Sequence, residues 1–96
     1  MNDPEVPMLL TLAETSDFRR TGRLDEVERL CAALSHKWPE AVRAFEYGRS
    51  AQGRPLTALL VSRAGSLDPA ELRRLGVPLL MLQGGIHPGE SDGKDA

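Results

Sequence analysis

The stretch Pro78-Leu79-Leu80-Met81-Leu82-Gln83-Gly84-Gly85-Ile86-His87-Pro88-Gly89-Glu90 decides how this 96-residue chain is read. Residues 78–83 are apolar without alternation, which predicts a strand covered on both faces, as the central strands of α/β sheets are. The residues that follow must turn. A residue before proline is pushed out of the helical region, so His87 is expected to be extended, and Pro88-Gly89 are favoured central residues of a type II turn. Such a turn brings the flanking Cα atoms within about 7 Å of each other. The imidazole of His87 and the carboxylate of Glu90 can then converge on one ion, and both are ligands that zinc accepts in catalytic sites with an open coordination position. Ligands of open α/β sheets bind beyond the carboxyl ends of strands, which is where this pair falls relative to residues 78–83. Two ligands are only half of a catalytic zinc site.

Upstream of this stretch the pattern alternates between helix and strand. Leu24, Val27, Leu30, Cys31, Leu34 and Trp38 fall at three- and four-residue spacings, predicting a surface helix with one buried stripe. Asp25 and Glu26 suit its positive N-terminal end, Thr21 is a candidate cap, and Pro39 stops it near Lys37 or Trp38. Residues 42–47 and 56–62 read as strands, and the glycine-bearing loop between them makes a hairpin. Asp68-Pro69-Ala70-Glu71 is a capping acid, a first-turn proline and a first-turn acid, opening a short helix that Gly76 ends. Residues 92–96 open another helix. Residues 1–16 lack periodicity, and Pro4 and Pro7 break any early helix, so residues 1–17 are expected to be a lead-in segment lying on the body of the protein.

Composition narrows the classes. With 41% hydrophobic and 27% charged residues the chain is an ordinary globular one of at most one domain. A net charge of -2 gives no basic face for nucleic acid. No apolar run approaches the roughly 20 residues that span a membrane. Asn2, Asp3 and Glu5 stand where a signal peptide would be positive, and the single cysteine, Cys31, mildly favours a reducing compartment, so a cytoplasmic location is expected.

Other chemistry-bearing residues read more plainly. His36 falls on the polar side of the helix stripe and is expected to be solvated, and Cys31 to be a small buried hydrophobe. Ser50 lacks the spacing and the strand-to-helix context of a serine-hydrolase elbow. Arg49 and Arg54 are expected to be solvated or paired, Gly93-Lys94-Asp95 lacks the features of a phosphate loop, and Trp38 and Phe45 are expected in the core. For His87 and Glu90 taken without the upstream segment, a solvated surface turn is the favoured account.

Three segments in order resemble the zinc metallocarboxypeptidase family, the carboxypeptidase A-like peptidases. They are Tyr47-Gly48-Arg49-Ser50-Ala51-Gln52-Gly53-Arg54-Pro55-Leu56, the run at residues 78–83, and Gly84-Gly85-Ile86-His87-Pro88-Gly89-Glu90 with Asp92-Gly93-Lys94-Asp95-Ala96. The resemblance implies that His87 and Glu90 are the first two ligands of one Zn2+ ion. It also implies that the third ligand, a histidine, lies further along such chains. So do the general-base glutamate, the arginine that polarises the scissile carbonyl, and the arginine, asparagine and tyrosine that hold the substrate's terminal carboxylate. Gly89 stands where many members have an arginine.

The expected fold class is therefore α/β, the N-terminal part of a mixed-sheet zinc carboxypeptidase-like fold with three strands and two to three helices. Residues 18–96 are expected to be the N-terminal part of a peptidase catalytic domain, incomplete at the C-terminus. The implied activity of the parent is hydrolysis of C-terminal peptide bonds through zinc-activated water, with the 96 residues alone inactive. The alternatives are a zinc amide deacylase of the succinylglutamate or aspartate deacylase type, acting on an N-acyl amino acid, and a non-catalytic interaction domain that retains part of the fold.

Overall fold

The computed structural model describes residues 6–96, with side chains from Met8 onward. Pro4, and Asn2, Asp3 and Glu5 with the signal-peptide reading that rests on them, lie outside the described residues. The chain divides into two compact units, Met1–Leu30 with Leu80–Ala96, and Cys31–Leu79. No helix is long and apolar enough to cross a membrane among the described residues.

The first unit opens with a 3-10 helix over Val6–Leu9 and a short helix α1, Leu12–Thr15. The expectation of a lead-in without helix is corrected here, and the cause is local. Thr11 Oγ1 accepts the Glu14 N–H at 3.1 Å, while Glu14 Oε1 accepts the Thr11 N–H at 3.0 Å. This reciprocal capping box satisfies two N–H groups that a helix start otherwise leaves open, so even a single turn holds. The T-x-x-E pattern Thr11-Leu12-Ala13-Glu14 was the signal for it in the sequence. Ala13 and Thr11 are buried.

Helix α2, Leu24–Lys37, begins in the first unit and ends in the second. Its span matches the periodicity, but Thr21 does not cap it: the Arg23 carbonyl accepts the N–H groups of Glu26 and Val27 at 3.0 and 3.4 Å. Of the expected stripe, Cys31 is buried and Val27, Leu30 and Leu34 are half-buried, whereas Leu24 and Trp38 are exposed. Trp38 was expected in the core; it lies just past the helix end, where the Lys37 ammonium sits 5.5 Å from its ring centroid.

In the second unit β1, Val42–Arg49, pairs antiparallel with β2, Pro55–Val61, from Val42 opposite Val61 to Arg49 opposite Pro55, with an irregularity between Glu46 and Gly48. The hairpin loop closes through Ser50, whose N–H donates to the Arg54 carbonyl at 2.9 Å and whose Oγ accepts the N–H groups of Gln52 and Arg54 at 3.3 and 3.2 Å. Ser50 thus shapes a turn. Arg49 is paired, with Glu46 at 2.8 Å and the Gly53 carbonyl at 3.0 Å. Val42 faces inward and is buried, whereas Phe45, three residues on and so on the opposite face, is exposed rather than in the core. Helix α3, Pro69–Arg74, starts as its sequence requires: Asp68 Oδ1 accepts the Ala70 N–H at 3.2 Å, Pro69 follows, and Gly76 takes φ +73 just past the end.

The third strand is a correction. The described residues hold one sheet of two strands, β1 and β2, and residues 78–83 are in no ladder. Leu79, Leu80, Met81 and Leu82 are 78–86% exposed. An extended segment becomes a strand only by giving its N–H and C=O groups to a neighbour, and residues 78–83 have no such partner among the described residues. The apolar pattern encodes a need for cover, and the described residues do not supply it. What the chain forms is a small α/β structure with two antiparallel strands and a few helices.

Candidate functional site

The expected turn is present. The Glu90 N–H donates to the His87 carbonyl at 3.3 Å, and Gly89 at the third turn position takes φ +88, the left-handed value that a type II turn requires there. The Glu90 carboxylate folds back over the turn, its Oε2 accepting the His87 N–H at 2.8 Å. Its other oxygen, Oε1, lies 3.2 Å from His87 Nδ1. The backbone bond fixes one carboxylate oxygen so that the second is aimed at the imidazole. Both side chains are exposed, 76% and 54%, so a solute can reach them.

These positions can be tested against zinc. Ligand distances of about 2.0–2.2 Å at tetrahedral angles place neighbouring donor atoms about 3.3–3.5 Å apart. The observed 3.2 Å between Nδ1 and Oε1 is close to such an edge, so the pair can share a cation with little movement of either side chain. Among the described residues no group of three or more His, Cys, Asp and Glu side chains could hold a metal. The other histidine, His36, is exposed on α2.

Close backbone packing holds the loop that carries the pair. Gly84, before the turn, lies against Gly93, after it: a Cβ built on Gly84 would be 2.7 Å from the Gly93 carbonyl carbon and 2.8 Å from its oxygen. Only glycine allows two backbones this near. Gly85 takes φ +66, and a Cβ there would be 3.7 Å from both the Glu90 carbonyl oxygen and the Lys94 Cβ. The chain thus leaves the apolar run, makes a closed loop with His87 and Glu90 at its tip, and returns to touch itself.

The helical turn α4, Asp92–Asp95, follows the loop. Lys94 Nζ hydrogen-bonds the Asp95 carboxylate and lies 3.7 Å from Glu26 Oε1. Thr21 Oγ1 donates to Asp95 Oδ2 at 2.9 Å, which is where the expected helix cap has gone. The hydrogen bond from Lys94, helped by the one from Thr21, holds the Asp95 carboxyl below its ordinary pKa. Cys31 is buried, its thiol pushed up by that burial, and it is neither a ready nucleophile nor a ready ligand. The sequence reading missed Glu26 and Lys94. Glu26 looks like any acid in a first helical turn, and nothing in the chain signals that its partner is a lysine near the other end.

A family model for zinc carboxypeptidases matches residues 27–96. The chain belongs to the zinc carboxypeptidase family. The match takes in the β1–β2 hairpin, the exposed apolar run, the His87–Glu90 turn and α4. Neither the curated proteins nor the solved structures give a match. Zinc carboxypeptidases are hydrolases that normally use zinc. Thr21, Gly22 and Glu26 lie before the matched residues.

Proposed function

We propose that this chain is the N-terminal part of a zinc carboxypeptidase catalytic domain, residues 18–96 belonging to that domain, and that His87 and Glu90 are two of the three protein ligands of its single zinc ion. The carrying observation is the approach of His87 Nδ1 to Glu90 Oε1, 3.2 Å, held by a Pro88-Gly89 turn in a family-matched segment. A bound zinc supplies an acidified water and polarises a carbonyl oxygen. The work of this chain's own residues is to present and orient: Gly89 sets the bend, the His87 N–H fixes the carboxylate, and the Gly84–Gly93 contact closes the loop. Hydrolysis of a C-terminal peptide bond further needs a base to take the proton from water and a cation to hold the oxyanion. The 96 residues alone are inactive on this reading, and a peptide with a free C-terminal carboxylate is the substrate of the whole protein.

The exposed run Leu79, Leu80, Met81 and Leu82 supports the same reading, because four neighbouring large apolar side chains in water mark a surface made to be covered. The test is to express the whole reading frame of the gene and measure bound zinc in the wild type and in His87→Ala and Glu90→Ala. About one zinc per chain is expected in the wild type, with loss in both variants. Unchanged zinc content in both would remove them as ligands. A reading frame that stops at Ala96 and yields a folded monomer without zinc uptake would favour the non-catalytic interaction domain instead.

A further inference from the structure

Glu26 is the most deeply buried charged residue among those described, only 7% exposed, and the zinc chemistry does not use it. A buried carboxylate is costly unless it is hydrogen-bonded and paired. Glu26 Oε2 accepts the Leu12 N–H at 2.7 Å, and Oε1 faces Lys94 Nζ at 3.7 Å. The space it occupies exists because residue 22 is glycine: a Cβ there would lie 2.2–2.4 Å from the carboxylate atoms. One carboxylate thus joins the start of α1, the first turn of α2 and the helical turn that follows the ligand loop. Lys94 is four residues beyond Glu90 and directly follows Gly93, the residue on which Gly84 rests. A second tie, Thr21 to Asp95, runs beside the first.

The geometry points to Glu26 and Lys94 as positioning residues for the metal-ligand loop: the buried carboxylate and the half-buried lysine, which also holds Asp95, fix α4 and, through the Gly84–Gly93 contact, the frame from which His87 and Glu90 project. This rests on the reading of His87 and Glu90 as zinc ligands. The turn itself is closed by its own hydrogen bonds, so the pair acts on the placement of the loop rather than on its shape. Losing such support around metal ligands lowers metal affinity by about 10- to 100-fold. Because Glu26 and Lys94 touch neither His87 nor Glu90 directly, the low end of that range is expected, about tenfold.

The experiment uses the protein expressed from the whole reading frame, with zinc alone as the probe. Zinc is titrated while the ring NMR signals of His87 and His36 are followed, and amide hydrogen exchange is recorded over residues 84–96. Wild type, Lys94→Met, Lys94→Arg and Glu26→Gln are compared, with His87→Ala as reference and Glu71→Gln, which breaks the exposed Glu71–Arg74 pair, as a surface control. Lys94→Met and Glu26→Gln are expected to weaken zinc binding at His87 about tenfold and to speed exchange in residues 84–96. Lys94→Arg should restore both, and Glu71→Gln should change neither. Wild-type exchange and wild-type zinc affinity in Glu26→Gln and Lys94→Met would overturn the proposal. Should Lys94→Met fail to fold, Glu26→Gln and the rescue by Lys94→Arg still decide it. If zinc moves the His87 signals of the whole protein no more than those of His36, the ligand reading is what has failed, and hydrogen exchange alone then decides the positioning role.

Discussion

Gly84→Ala isolates the contact on which the loop depends. The added methyl would meet the Gly93 carbonyl carbon at 2.7 Å, its oxygen at 2.8 Å and its Cα at 3.1 Å. Ordinary carbon contacts lie at about 3.5–4.0 Å, so roughly 1 Å must be found, and backbone cannot rotate aside as a side-chain end can. Overpacking of this kind costs about 1–3 kcal/mol. Against it stands a gain of about 0.4–1 kcal/mol from the stiffer unfolded chain, which applies because Gly84 is not at positive φ. The balance is a loss of about 1–2 kcal/mol, and at about 4–8 °C per kcal/mol for a domain of this size the midpoint should fall by about 5–15 °C. Urea and thermal unfolding followed by circular dichroism measure it, with hydrogen exchange over residues 84–93 reporting the loop directly. A Gly84→Ala protein as stable as wild type or more so, with unchanged exchange, would refute the argument, since alanine would then be enjoying its entropic advantage in open space.

Thr11→Ala should cost about 1 kcal/mol by opening the capping box of α1, and a urea midpoint equal to that of wild type would show the box to be idle. Cys31 should react slowly with a thiol alkylator at neutral pH in the folded chain and quickly in urea, because burial raises its pKa and the thiolate is the reactive form; fast labelling of folded protein would contradict this. The Asp95 pKa is lower folded than unfolded, so its contribution is present above the unfolded value and is lost as pH falls toward the folded one. Asp95→Asn should accordingly flatten the acid side of the stability–pH curve, and an unaltered acid limb would refute the bond pattern with Lys94 and Thr21.

Much of the local structure was legible because its causes are local. The span of α2 follows from apolar spacing and Pro39, the β1–β2 hairpin from two short strand-forming runs around a glycine loop, α3 from Asp68-Pro69, and the His87–Glu90 turn from Pro88-Gly89. The α1 capping box is written as plainly at Thr11 and Glu14, and it holds a helical turn despite the prolines before it. Residues 78–83 mark the limit of such inference. Their composition states that they need cover on both faces, yet cover comes from neighbours, and the described residues provide none.

The sequence by itself determined which residues turn, which repeat on one face, and that an imidazole and a carboxylate stand either side of a tight bend, because each of these depends on side chains a few positions apart. The tertiary structure alone decided that Glu26 is buried against Lys94, that Thr21 serves Asp95 instead of capping α2, and that Gly84 rests on Gly93. Those pairings join residues far apart in the chain, and a charge or a glycine carries no mark of the distant partner that folding will bring beside it.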